Sequence, residues 1–276
     1  MIAVAQVRGG RSRDAVSPLL SQRLFLVIAA LVFAASAMLT VEWCRSMSVM
    51  PGMPMTGGWT MSMAWMRMPR QTWLSAGASF VGMWAAMMVA MMLPSLLPML
   101  RGFRQAIRGT SEMRINKLTA IVGAGYFFVW TLLGILLFPL GVILATAEMH
   151  HLALARAVPP TTGAIVIIAG MLQFTPWKAH HLAGCRETTG CQRLQAHSGS
   201  ALRHGLHLGI QCSYCCVGFT AILLAGGVMN LGLMVIVAGA ITAERLAPGG
   251  QRVARTIGAV AMVAGVLLVA RAIVVD

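Results

Sequence analysis

The sequence predicts an all-α fold, a polytopic membrane helix bundle of about seven transmembrane helices with the N-terminus inside and the C-terminus outside. Three observations lead there. Of 276 residues, 58% are hydrophobic and only 10% charged, against about 45–50% and about 25% in a soluble domain. The apolar residues gather in runs long enough to cross a bilayer, which takes about 20 helical residues. The basic residues lie between these runs and favour one side of them. The formal charge of +14 is therefore spread among loops and does not form the patch that nucleic acid requires.

Residues 1–23 carry Arg8, Arg11, Arg13 and Arg23 without an apolar period and read as a basic cytoplasmic tail. The first apolar run, Leu24–Val41, is an anchor. Ala35-Ser36-Ala37 resembles a signal-peptidase site, and cleavage there would leave six spans. Either way the chain emerges outside, into a Met-, Gly- and Pro-rich loop over 42–72. Residues 73–276 form the helix bundle. Its spans are expected at about Trp73–Leu100, at Leu118–Ala147 with Pro139 a kink point, and at Thr161–Trp177. The apolar stretch 205–246 is too long for one span, and Gly226-Gly227-Val-Met-Asn230 divides it into helices near 205–225 and 231–246. The last span is Ala254–Val275. With the N-terminus inside, only Arg45, Arg67, Arg70, Arg156 and Arg271 of the 21 Lys and Arg fall outside. That asymmetry fixes the orientation by the positive-inside rule.

One inner stretch, 178–216, concentrates the reactive side chains. Five of the six cysteines and five of the seven histidines lie in it. Thiolate and imidazole are the ligand set of soft and borderline metals, and the segment reads as a metal site. On the fifth helix His204, His207, Gln211 and Cys215 recur at spacings of three and four and are expected to share a face, with Cys212 and Cys216 beside them. His181 and Cys185 follow the fourth span and would close the site from the other side. Cys191 belongs either to that site or to a solvated loop. Glu244, beside Arg245, reads as an ion pair or interfacial charge rather than a ligand, Glu148-Met-His150-His151 as an interface anchor in preference to an entry site, and Cys44 as isolated from the other cysteines.

Sulfur of a different kind lies outside. The loop holds Met47, Met50, Met53, Met55, Met61, Met63, Met66 and Met68. On the second helix Met83, Met87 and Met91 form one i, i+4 stripe, and Met88 and Met92 a second about 100° round the helix. Thioether does not protonate, so it can take a soft ion over a wide pH range, while thiols stay reduced on the cytosolic side. Copper(I) is the ion that both select. Zinc fits the Cys/His set but gives no reason for the methionines. The bland alternatives stand beside this: methionine as packing filler and buried cysteine as an inert small hydrophobe.

Several pieces together resemble the bacterial predicted metal-binding integral membrane proteins, a family catalogued as a domain of unknown function. They are Trp84-Ala-Ala-Met87-Met88 with Met91-Met92-Leu-Pro94 and Pro98, then Gln173-Phe-Thr-Pro176-Trp-Lys178 with Cys185-Arg186. His204-Gly205 follows, leading to Cys212-x-x-Cys215-Cys216 and Gly227-Val-Met229. The resemblance covers about 73–250 and implies a metal-binding protein of the bacterial inner membrane. Where the family usually has a second cysteine this chain has His181, a harder ligand.

The expected function is binding and transfer of a soft metal, copper(I) foremost, for delivery, transport or assembly of a copper enzyme. Its partners would be the lipid bilayer, the metal ion, and a metallochaperone or membrane copper enzyme. Two alternatives are a membrane thiol–disulfide oxidoreductase using Cys212 and Cys215 and a structural subunit whose soft residues merely pack. The chain has no phosphate loop, no dinucleotide fingerprint and no Ser/His/Asp order.

Overall fold

The computed structural model describes residues 10–48, 52–55, 59–67, 71–107, 109–186 and 197–275. Among these residues there are eight α-helices: α1 (Gly10–Ser48), α2 (Trp73–Ala106), α3 (Glu112–His150), α4 (Leu152–Leu172), α5 (Pro176–Arg186), α6 (Ser198–Ala225), α7 (Leu231–Leu246) and α8 (Gly250–Val275). Six of them (α1, α2, α3, α4, α6 and α8) are long and apolar enough to cross a membrane. The expected sixth span is present as α7, but its 16 residues reach only about 24 Å, short of the roughly 30 Å hydrocarbon layer. It ends where Glu244 and Arg245 are held by side chains of α5 and α6.

The first helix starts at Gly10, inside the stretch expected to be a tail. The outer loop holds a two-stranded antiparallel hairpin, β1 (Met53–Met55) with β2 (Trp59–Met61), in register Met53 to Met61. A 3-10 turn follows at Met63–Trp65. None of this was anticipated from composition. The hairpin is tied down by Trp59, whose indole N–H donates to Ala155 O at 2.8 Å. That carbonyl is the one Pro159 leaves without its i+4 donor. The indole thus replaces a helical hydrogen bond, and α4 runs unbroken from Leu152 through Pro159 and Pro160. The fourth span was expected from about Thr161, and the helix instead begins nine residues earlier. Thr161 also donates back to Ala157 O and Val158 O.

Two close helix pairs organise the bundle. α3 and α6 run parallel: a Cβ on Gly205 would meet the backbone of Val122, and one on Gly209 would lie 2.9 Å from Tyr126 O. α4 and α8 run antiparallel, with Gly163 opposite Gly265 and Gly170 opposite Gly258. Small residues let such backbones approach when no water is available to drive apolar association. α4 breaks at Gln173–Thr175, and α5 restarts with Pro176 at its first position, where no backbone donor is needed. Thr175 Oγ1 accepts from Lys178 N at 3.2 Å and donates to Leu172 O at 2.7 Å, capping one helix and closing the other. Large apolar side chains face outward on α1, α3 and α8, including Leu31, Ile143 and Val266. The buried core gathers the sulfur-bearing side chains of α2 and α6.

Candidate metal centre

The core of the centre is the buried stripe of α6. Cys212, Cys215 and Cys216 are 1%, 3% and 1% exposed. They share the inward face with Leu208 and Phe219, as spacings of three and four require. α5 runs antiparallel to this stretch and turns Lys178, Leu182 and Cys185 toward it. Its register against α6 is set by Lys178, whose ammonium donates to Cys215 O at 2.8 Å, and by Gly184, where a Cβ would meet the amide of Gln211. α7 supplies Glu244 and Arg245, α3 supplies Tyr126, and α2 supplies Ser95.

Arg245 stands among the sulfurs. Its Nη2 lies 2.8 Å from Cys212 Sγ, 3.6 Å from Cys185 Sγ and 3.7 Å from Cys216 Sγ. Its Nη1 donates to Ser95 Oγ at 3.2 Å. Cys212 Sγ also accepts from Tyr126 Oη at 2.9 Å, and Cys216 Sγ is 4.0 Å away. Arg245 thus joins Cys185, Cys212 and Cys216 in one network, and Cys215 lies buried on the same face of α6 as Cys212 and Cys216. A sulfur that receives both a phenol and a guanidinium donor has the surroundings of a thiolate, the form that binds metal. The second cation, Lys178, is 2.8 Å from Glu244 Oε2, with both side chains almost fully enclosed. Among the described residues, Glu244 Oε1 and Arg245 Nε are buried without a hydrogen-bond partner. Among the described residues no three His, Cys, Asp or Glu side chains stand as a ready metal cage. The guanidinium occupies the middle of the thiols instead.

The remaining expected ligands fall elsewhere. The rings of His181, Trp177 and Tyr214 pack together, with centroids 4.7 Å and 5.3 Å from that of His181. His204 stacks on Phe103 at 5.8 Å, and His207 is exposed. Each of His204 and His207 precedes a thiol (Cys212 and Cys215) by eight residues, about 12 Å along the helix. The shared face of the spacing argument therefore does not bring them to the sulfurs. Cys191 lies outside the described residues, as do Met50 and Met68. Met83, Met87, Met88, Met91 and Met92 are all buried, none more than 5% exposed. They lead down α2 to Ser95, whose hydroxyl bridges Met92 O and Arg245.

Sequence reasoning left Lys178, Arg245, Tyr126 and Ser95 out of the site and gave Glu244 only an ion-pair role. The available signal was polarity out of place: two adjacent opposite charges ending an apolar helix, and one of just two tyrosines inside another. Charged groups at such depth usually mark a functional interior.

No curated protein and no solved structure matches the chain. A family model described as PpoB2: Copper chaperone matches residues 81–268, from the methionine helix to α8, and so takes in four of the buried thiols and their cationic partners. The match covers well over half of the 276 residues, and the chain belongs to the PpoB2 copper chaperone family.

Proposed function

We propose that this protein is a membrane-embedded copper(I) carrier that holds the ion at Cys185, Cys212, Cys215 and Cys216 and passes it on to a copper-requiring partner. The observation that carries the reading is the convergence of Cys185, Cys212 and Cys216 on one buried cation, Arg245. A guanidinium surrounded by sulfur is the resting substitute for a soft cation.

Charge favours monovalent copper over zinc in an all-thiolate site. Lys178, Arg245 and Glu244 leave the pocket one positive charge when all thiols are neutral. Copper(I), which is satisfied by two thiolates, leaves the other two of the four thiols protonated and forms a monoanion, and the sum is then zero. Zinc held by four thiolates is a dianion and would leave an unbalanced buried charge, which is costly. Of the histidines that would soften that arithmetic for zinc, His204 and His207 stand about 12 Å along α6 from Cys212 and Cys215. Orientation follows from the charge asymmetry of the sequence, N-in and C-out. It puts the thiols toward the cytosolic side, the thioether ladder of α2 above them, and the methionine loop outside. Burial of Cys212 and Cys215 within a continuous helix supports binding over disulfide exchange, because an exchanging thiol must be reached by its partner.

Elemental analysis of purified protein loaded with copper(I) under reducing, anaerobic conditions tests this. Wild type is expected to retain copper that a Cys212→Ser/Cys215→Ser/Cys216→Ser variant of equal monodispersity loses. Equal copper in both would refute the assignment.

A further inference from the structure

At the other end of α2 a second group of sulfurs meets. Cys44, at the end of α1, is buried at 4% exposure, and its Sγ lies 4.0 Å from Met229 Sδ. Met229 belongs to the turn between α6 and α7, where Gly227 has φ +101°, a conformation that glycine adopts without strain. That turn folds Val228 into the core and sets Met229 over the end of α1. Beside the pair is a small cavity of about 60 Å³ whose lining includes Met47, Met66, Met83 and Met229. α1, the outer loop, α2 and the α6–α7 turn each contribute a sulfur.

Resting on the copper reading above, we propose that Cys44, Met229 and Met83, with Met47 and Met66 at its mouth, form a second soft-metal site, an intake site for a monovalent ion. The chemistry is selective. Among the described residues no charged side chain lines the cavity, and its only side-chain oxygens are the neutral ones of Gln71 and Ser79, so a hard divalent cation, which takes about six or more oxygen ligands, finds too few donors and no counter-charge there. The thioethers and the aromatic faces of Trp43 and Phe80 that line it, with the Cys44 thiol behind Met229, suit a soft, singly charged ion. The volume admits an ion and excludes an organic ligand. Met83 belongs at once to this cavity and to the first methionine stripe of α2. It stands twelve residues before Ser95, so the two sites are about 18 Å apart along the helix. The family match begins at residue 81, so it takes in Met83 and Met229 and leaves out Cys44.

The test uses silver(I), a redox-inert analogue of copper(I), on the purified full chain in detergent, with metal counted after gel filtration. Wild type is expected to hold two silver ions. Cys44→Ala/Met229→Leu/Met83→Leu, whose Met changes keep side-chain volume, is expected to hold one, and so is the variant without the three α6 thiols. Combining the two sets should leave none. An outer variant that still holds two, or a wild type whose only silver is lost with the inner thiols, overturns the proposal. Loss of silver from the outer variant alone, with none lost from the inner one, upholds it and refutes the inner site instead. Labelling of Cys44 by N-ethylmaleimide, read by mass spectrometry, gives an answer that does not depend on the outer variant folding. Silver should slow it several-fold in wild type and equally in the inner-thiol variant, and an unchanged rate in both overturns the proposal.

Discussion

Lys178→Met and Glu244→Gln, alone and combined, probe the buried charge that the copper reading depends on. The ammonium and carboxylate are 2.8 Å apart and essentially sealed from solvent. At that distance, with an effective dielectric constant near 20, the attraction is about 6 kcal/mol. Stripping water from two ions costs several kcal/mol each, so the intact pair contributes little net stability. Removing one member is different, because it strands the other. Each single substitution is expected to cost about 3–5 kcal/mol, and the double less than either, since neither charge is then left alone. Unfolding in detergent, followed by the reaction of exposed cysteines with a thiol-reactive fluorophore, reports all four proteins. A double variant destabilised by the sum of the singles would refute the pairing. Copper affinity separates the two singles that stability leaves alike. Lys178→Met takes a positive charge from a pocket that must offset an anionic copper–thiolate centre, so copper should bind more weakly. Glu244→Gln adds net positive charge and should not weaken it. A shift of both affinities in the same direction would show that the pocket's net charge does not govern binding.

Other expectations follow from single contacts. Tyr126→Phe removes the phenol donor to Cys212 Sγ and should lower copper affinity about 10–100-fold, as loss of a hydrogen bond behind a ligand commonly does. Competition with a chromophoric copper(I) chelator measures it. Gly205→Ala forces a methyl onto the α3 backbone at Val122 and should destabilise by about 1–3 kcal/mol. Gly123→Ala, with nothing within 4 Å of the new Cβ, should be neutral or stabilising by up to about 1 kcal/mol. The same denaturation assay distinguishes the two.

Much of the architecture was legible because span length and hydropathy are local properties. The helices near 205–225 and 231–246 and the turn between them follow from one glycine pair in an apolar stretch, and α6 and α7 occupy those positions. The departures have nonlocal causes. α4 begins before its prolines because Trp59, almost a hundred residues away, supplies the missing donor. α5 is not among the expected spans because a helix of 11 residues stabilised by packing carries little periodic signal of its own. The thiols were legible as a cluster, and the convergence of α5 and α6 was anticipated. The histidines were not separable from them by spacing, because a 3.6-residue period fixes azimuth and is silent about depth. His204 shares a side with the sulfurs and lies two turns away. Arg245 was hidden for the opposite reason: hydropathy marks the end of a helix, and a charged residue there usually faces water.

The division between thioethers on α2 and thiols on α5 and α6 would have a physical consequence for a carrier. A thiolate holds copper(I) by charge as well as by covalency, and releases it only to a competing thiolate or to protonation. Thioethers offer covalency alone, so each methionine is a shallow well. On the proposed copper reading, a line of Met83, Met87 and Met91 between the outer cavity and the thiols would let an ion move without deep traps on the way. Cysteines at those positions would hold it where it stopped. The thiols come last, where Lys178 and Arg245 supply the positive charge that a bound copper–thiolate centre needs and that a line of neutral thioethers does not. The cations near the thiols and the absence of charge around the outer cavity are two sides of one electrostatic requirement. On the proposed reading, the inner cations would offset an anionic copper–thiolate centre, and the Cys44 thiolate would leave the outer copper complex neutral.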